Sequence, residues 1–204
     1  NQRVYDEAER EMRQAIALQP QFAEAHNLLA LVLQQLGRAQ EAQQHFERAL
    51  VANPGFVQAH SNLLFMMTHE AYLSPAALLD AHRQFETRHA AALRASWQPA
   101  QVQPEPGRRL RVGFVSGDLR QHAVAYFIAP IWRAWNHADM VLVVFNNHHR
   151  HDATTHELRA LCDEWHDIWK LDDAALAEHI RQQGIDVLVD LSGHTAHHRL
   201  LTFA

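Results

Sequence analysis

The chain has 204 residues, 48% hydrophobic and 20% charged, which is the composition of a packed globular protein and too apolar for a disordered one. Eighteen Lys and Arg stand against 23 Asp and Glu, a formal charge of −5 that excludes a protein built to coat DNA or RNA. No apolar run approaches the ~20 residues of a bilayer span, no signal-like segment follows Asn1, and the single cysteine, Cys162, permits no intrachain disulfide, so a cytoplasmic protein is expected.

The first elements repeat. Glu7, Ala8, Ala15, Pro20, Phe22, Ala25, His26 and Leu29 recur 34 residues later as Glu41, Ala42, Ala49, Pro54, Phe56, Ala59, His60 and Leu63. That is the period of the tetratricopeptide repeat, a helix-turn-helix unit. The central unit spans about 23–56. Its first helix carries the apolar stripe Leu28, Leu29, Val32 and Leu36, Gly37 marks the turn, and the second helix carries Ala42, Phe46, Ala49 and Leu50 before Pro54. Ala30, Ala42 and Ala49 are small where two helices must approach closely. The repeats are assigned to 1–67, and their decay after Met67 marks the expected end of a longer array that starts before Asn1. Such a solenoid offers a concave face to extended peptides, or its last repeats only cap the array. His26 and His60 hold equivalent positions and are expected to pack.

A helical bridge and proline-rich linker, 68–107, follows. Ser74-Pro75 predicts an N-cap with proline in the first turn. Leu78, Leu79, His82, Phe85 and His89 then fall near one helix face. Pro99, Pro104, Pro106 and Gly107 stop any helix and place a domain boundary at about 98–108.

From 108 to 204, strands and helices alternate. Strands are predicted at 109–116, 140–145, 166–171 and 185–191, and helices at 124–136, 154–162 and 173–183, with Gly184 as a helix stop. The alternation argues for a parallel α/β sheet, whose ligands bind outside the carboxyl ends of the strands. Those ends run into Ser116-Gly117-Asp118-Leu119-Arg120-Gln121-His122, Asn146-Asn147-His148-His149-Arg150-His151-Asp152 and Asp190-Leu191-Ser192-Gly193-His194-Thr195. Histidine is the compositional outlier at 17, eleven of them in 101–204, and five of those eleven sit in these three loops.

The loops lack the dinucleotide fingerprint, the P-loop and the G-x-S-x-G elbow. They offer imidazoles suited to proton transfer near neutral pH, and Ser192-Gly193 suits an anionic or hydroxyl-rich ligand. His148, His149, His151 and Asp152 have ligand chemistry without a metal-binding spacing, so a solvated histidine loop competes with a metal site. For His194, His197 and His198 a metal is no better supported.

Together, the repeats, the segment SNLLFMMTHEAYLSPAALLDAHRQFETRHA, the run RLRVGFVSGDLRQHAVAYF and the run GIDVLVDLSGHTAHHRLLTFA resemble bacterial homologues of O-GlcNAc transferase, glycosyltransferase family 41. The resemblance covers essentially the whole chain. It implies tetratricopeptide helices followed by a Rossmann-like parallel α/β lobe, the first half of a GT-B fold, with the C-terminal catalytic lobe lying beyond Ala204. It implies inverting transfer of N-acetylglucosamine from UDP-GlcNAc to Ser or Thr hydroxyls of acceptor proteins or peptides along the repeat surface, with no metal or other cofactor, no nucleic acid and no membrane partner. The fragment is not expected to be active alone. His122, in S-G-D-x-x-x-H, is the implied catalytic residue, as general base or positioning group. Asp190, Gly193, His194 and Thr195 are implied to position donor or acceptor. A related protein O-fucosyltransferase using GDP-fucose, and a non-catalytic repeat adaptor, are the competing expectations.

Overall fold

A computed structural model describes residues 2–70, 73–98 and 105–204, and the chain divides into two compact units, Asn1–Leu93 and Arg94–Ala204. Most of the expected proline-rich boundary, residues 99–104, lies outside the described residues.

The first unit is helical: α1 (Gln2–Leu18), α2 (Ala23–Gln35), α3 (Ala39–Ala52), α4 (Val57–Met67) and α5 (Pro75–Phe85). Gly37, at φ +75°, ends α2 in the left-handed region, with Arg38 N–H donating to Leu33 O and Gly37 N–H to Gln34 O, a Schellman arrangement that satisfies the terminal carbonyls. Leu29, Ala30 and Leu33 of α2 pack on Ala42, Phe46 and Ala49 of α3 and on Ala59, Leu63 and Met66 of α4. Ala30, Ala42 and Ala49 are fully buried, consistent with close helix approach. The expected stripe on α2 needs correction: Leu28 is 48% exposed, and Leu33 takes the core position, one helical turn beyond Leu29. Ser74 caps α5 as predicted, its Oγ accepting from Ala77 N–H at 3.2 Å, but Leu79 faces outward.

His26 and His60 are buried, and each pairs with another imidazole. His26 Nδ1 lies 2.9 Å from His45 Nδ1, and His26 Nε2 lies 3.0 Å from Pro20 O. A carbonyl only accepts, so His26 carries its hydrogen on Nε2 and its Nδ1 must accept from His45. His60 Nδ1 lies 3.0 Å from His89 Nε2. Burial, reinforced by the neighbouring imidazole, lowers the pKa values of His45 and His60 to about 4.

The second unit holds β1 (Leu110–Ser116), α6 (Ala123–Arg133), β2 (Met140–Asn146), α7 (Ala153–Arg159), β3 (Glu164–Asp167), α8 (Asp173–Gln182) and β4 (Val187–Asp190). The strands form one parallel sheet in the order β3-β2-β1-β4, with Leu110 opposite Met140 through Ser116 opposite Asn146, and Val112 opposite Val187. Alternate residues serve opposite faces. Val112, Phe114, Leu142 and Val144 pack with α6 and α7 through Ile128, Trp132 and Leu158. Val115, Val141, Val143 and Phe145 pack with α8 through Leu176 and Ile180. Burial on both faces accounts for the continuous apolar strands.

Two predicted strands are displaced or shortened. The third runs over Glu164–Asp167 rather than 166–171, because Ile168 plugs the core and the chain then turns toward Asp172, whose side chain caps α8. The fourth starts at Val187 because Asp186 leaves the ladder to bind Arg108 and the Arg111 N–H with its carboxylate.

Candidate functional site

The chain leaves β1 toward β2 and β3 on one side, while β4 pairs on the other side of β1. The direction of winding therefore reverses between β1 and β4, and the carboxyl ends there flank the crevice in which open α/β sheets bind ligands. The S-G-D-L-R-Q-H and D-L-S-G-H-T loops are the two that border this switch point.

The β1 loop is fixed atom by atom. Ser116 Oγ accepts from Asp118 N–H at 3.0 Å, and Leu119 is anchored in the core. Thr155 Oγ1 donates to Leu119 O at 2.8 Å. Gln121 N–H donates to Asp152 Oδ2 at 2.8 Å, while Asp152 Oδ1 accepts from Thr155 N–H and caps α7. Backbone N–H groups of Gln121 and then Thr155 hold the Asp152 carboxyl below the usual carboxylate range.

His122 is the N-cap of α6 and is about one-third exposed. Its Nδ1 accepts from Val124 N–H at 3.3 Å, so the neutral ring carries its hydrogen on Nε2. That Nε2 faces the buried carboxylate of Asp118 at 3.9 Å, with Arg120 Nη2 3.6 Å from the same oxygen. In this tautomer Nε2–H is the donor atom of the ring, and 3.9 Å is too long for a hydrogen bond to Asp118.

The β4 loop is shaped by Asp190, whose two carboxylate oxygens accept from Ser192 N–H at 2.9 Å and Gly193 N–H at 2.7 Å. Thr195 Oγ1 donates to Ser192 O at 2.8 Å. Asp190 and Thr195 thus spend their polar atoms on the turn, whereas Gly193 sits at φ +54° with open space where a Cβ would be. His194 is half-buried, with its ring 6.0 Å from that of His198, and burial pushes the His198 pKa below the usual imidazole range. Ser192 Oγ and Asn146 Oδ1 are buried polar atoms with no hydrogen-bond partner among the described residues.

The packing that ties the three loops together runs through residues to which the sequence assigned no such contact. A Cβ on Gly117 would lie 2.7 Å from His197 Cβ, so only glycine allows this approach. Asn147 Nδ2 donates to His197 O at 2.8 Å, and Asn147 N–H to Ser116 O at 2.7 Å. His197 itself holds φ +60°. A glycine directly after a strand is the available signal for Gly117, whereas the sequence offers His197 only as a candidate metal ligand and nothing in it marks the close approach to Gly117. His148 and His149 stack at 5.0 Å between ring centres, and His151 Nε2 lies 3.1 Å from Asp167 Oδ1. Among the described residues no three His, Cys, Asp or Glu side chains converge as metal ligands.

Comparison with known proteins gives a consistent set of matches. The model of the family described as Glycosyl transferase family 41 matches residues 46–204, and the Tetratricopeptide repeat model matches 23–56. A tomato (Solanum lycopersicum) protein described as "Probable UDP-N-acetylglucosamine--peptide N-acetylglucosaminyltransferase SPINDLY" is 32% identical over 133 residues, 62% of this chain and 14% of that protein. Its barley (Hordeum vulgare) counterpart is 31% identical over 149 residues, 70% of this chain and 16% of that protein. The chain therefore spans about one-seventh of the length of these curated relatives. A solved mutant of Thermobaculum terrenum O-GlcNAc transferase superposes with a TM-score of 0.89 at 38% identity, covering 98% of this chain and 38% of that one.

Proposed function

Because the chain belongs to glycosyl transferase family 41, we propose that the protein containing it transfers N-acetylglucosamine from UDP-GlcNAc to Ser or Thr hydroxyls of proteins, with inversion at the anomeric carbon. In this reading the chain contributes repeats and the first lobe of a two-lobed GT-B catalytic region, working in the cytoplasm without a metal. One observation carries the reading: the two loops with the most family-like sequence flank the sheet's switch point, where a nucleotide-sugar cleft would open.

His122 acts at that cleft through its Nε2–H, with the ring fixed by the cap on α6 and facing the Asp118 carboxylate. An acceptor hydroxyl attacking the anomeric carbon loses its proton as the bond forms, while the departing diphosphate gains charge that nearby donors must stabilise. A ring locked as a donor suits orienting an acceptor oxygen or meeting that charge. Gly193 and His194 border the donor or acceptor, and Asp190 and Thr195 hold their loop in shape.

The test is sugar transfer to a Ser-containing peptide by the complete protein, followed by mass spectrometry. His122→Ala is expected to cut kcat far more than it weakens UDP binding. His122→Asn, which keeps both a cap and a donor, is expected to recover part of that loss. Undiminished kcat in His122→Ala removes this residue from the chemistry. Turnover unchanged by EDTA is expected, and UDP rather than GDP should compete with the donor. Competition by GDP alone would favour GDP-fucose.

A further inference from the structure

Across the carboxyl edge of the sheet, four exposed or half-buried rings from three loops form a row. His197, after β4, meets His148, after β2, at 5.7 Å between ring centres. His148 stacks on His149 at 5.0 Å, and His149 meets Trp169, after β3, at 6.0 Å. Trp169 is 45% exposed. The fold accepts an unusual backbone to complete the row, since His197 is a non-glycine residue at φ +60°, a conformation that persists when its surroundings impose it.

The charges beside the row are unlike those elsewhere in this unit. Arg108 pairs with Asp186, Arg109 with Asp163, Arg111 with Glu164 and Arg120 with Asp118. Arg133, Arg159, Arg181 and Arg199 likewise have carboxylates within 4.0 Å. Arg150 and Lys170 are the two formal cations between residues 105 and 204 with no carboxylate partner among the described residues, and both are exposed. The backbone N–H of Arg150 donates to His148 Nδ1, which seats that residue beside the row, and Lys170 Nζ sits 4.8 Å from the Trp169 ring centre. Both residues without a carboxylate partner thus border the row, with the Lys170 ammonium over its Trp169 end. Lys170 is also the only lysine in the sequence.

We propose that this row is a docking surface for an acidic segment of the acceptor polypeptide, with Asp or Glu side chains reaching Arg150 and Lys170 while the chain lies over the rings. Unpaired positive charge on a rim favours a negative partner and speeds its encounter. Exposed flat rings supply sequence-tolerant contact area at low entropic cost. The word acceptor rests on the transferase reading above, whereas the surface and its charge preference do not.

The experiment measures fluorescence anisotropy of three labelled Ser-containing peptides that differ only in a flanking block of four Glu, four Gln or four Lys. Each is titrated with the full chain at two salt concentrations. The Glu peptide is expected to bind about tenfold or more tighter than the Gln peptide at low salt, with the gap narrowing at high salt. Charge reversal at Arg150→Glu with Lys170→Glu is expected to invert the preference toward the Lys peptide, and Trp169→Ala to weaken all three. Both cations are exposed and unpaired, so the reversal leaves the core intact, and Arg133→Glu serves as the charge control. Equal binding of the Glu and Gln peptides overturns the proposal. So does an acidic preference that survives the reversal, or a UDP or oligo-dT probe that binds more tightly than the peptide through the same two residues. Acidic preference without sugar transfer by the complete protein would sink the transferase reading and leave the docking surface standing.

Discussion

Histidine does two different jobs in the two units. In the helical unit, His26, His45 and His60 are buried imidazoles paired with His45, His26 and the half-buried His89, and burial holds His45, His60 and His89 toward the neutral form. On the carboxyl edge of the sheet, His122, His148, His149 and His197 keep ring surface open to solvent. The same side chain becomes a packing element when its polar atoms are matched inside a helix pair, and a chemical surface when a strand end lifts it out. Histidine count alone therefore does not locate a site. The element that carries the residue does.

The largest expected effect breaks the buried pairs. His45 and His60 have folded-state pKa values near 4 against ~6.5 when unfolded. A lowered folded value means the unfolded chain binds more protons, so their contribution is fully present above about pH 6.5 and is lost as pH falls toward 4. Repeat-helix unfolding in urea is expected to lose on the order of 2–3 kcal/mol per imidazole over that window. His60→Phe should flatten the slope, and an unchanged slope would mean the ring is not neutral in the fold.

Next in size, Gly117→Ala breaks the rim. Its Cβ would meet His197 Cβ at 2.7 Å, and forcing such contacts apart costs roughly 1–3 kcal/mol. Urea midpoints should drop, and amide resonances of residues 194–198 should shift most. Asp152→Ala removes a helix cap and the anchor of Gln121, with an expected loss of about 1 kcal/mol and faster amide exchange at Gln121. The smallest effect sharpens the contrast with a half-buried group off the rim. Burial pushes the Cys162 thiol up to about 12, and its Sγ donates to Leu158 O, so it should react with a disulfide reagent at pH 8 only after unfolding.

Much of the fold was legible because its signals are local. Glycine, small residues and proline punctuate the 34-residue repeat, and runs such as MVLVVFN announce a strand buried on both faces. The two misjudged strand boundaries share a cause. The pattern of their neighbours extends a strand through Asp186 and Ile168, but a remote arginine claims the first and the sheet's second core claims the second. Within the site, placing the loops on one edge followed from the alternation, whereas the division of labour inside them did not. Asp190 and Thr195 shape their own turn, and the tautomer of His122 depends on a helix N–H two residues away.

The sequence by itself determined the repeat period, the α/β alternation and the gathering of histidine at strand ends, because periodicity and turn chemistry act over a few residues. Only the tertiary structure decided the strand order that puts β4 beside β1, the Gly117–His197 contact that ties their loops, and the Arg108–Asp186 and Arg111–Glu164 pairs. Those outcomes depend on register and close approach between segments 50 to 80 residues apart, such as Asn147 with His197 and Arg108 with Asp186, and local pattern carries no such distances.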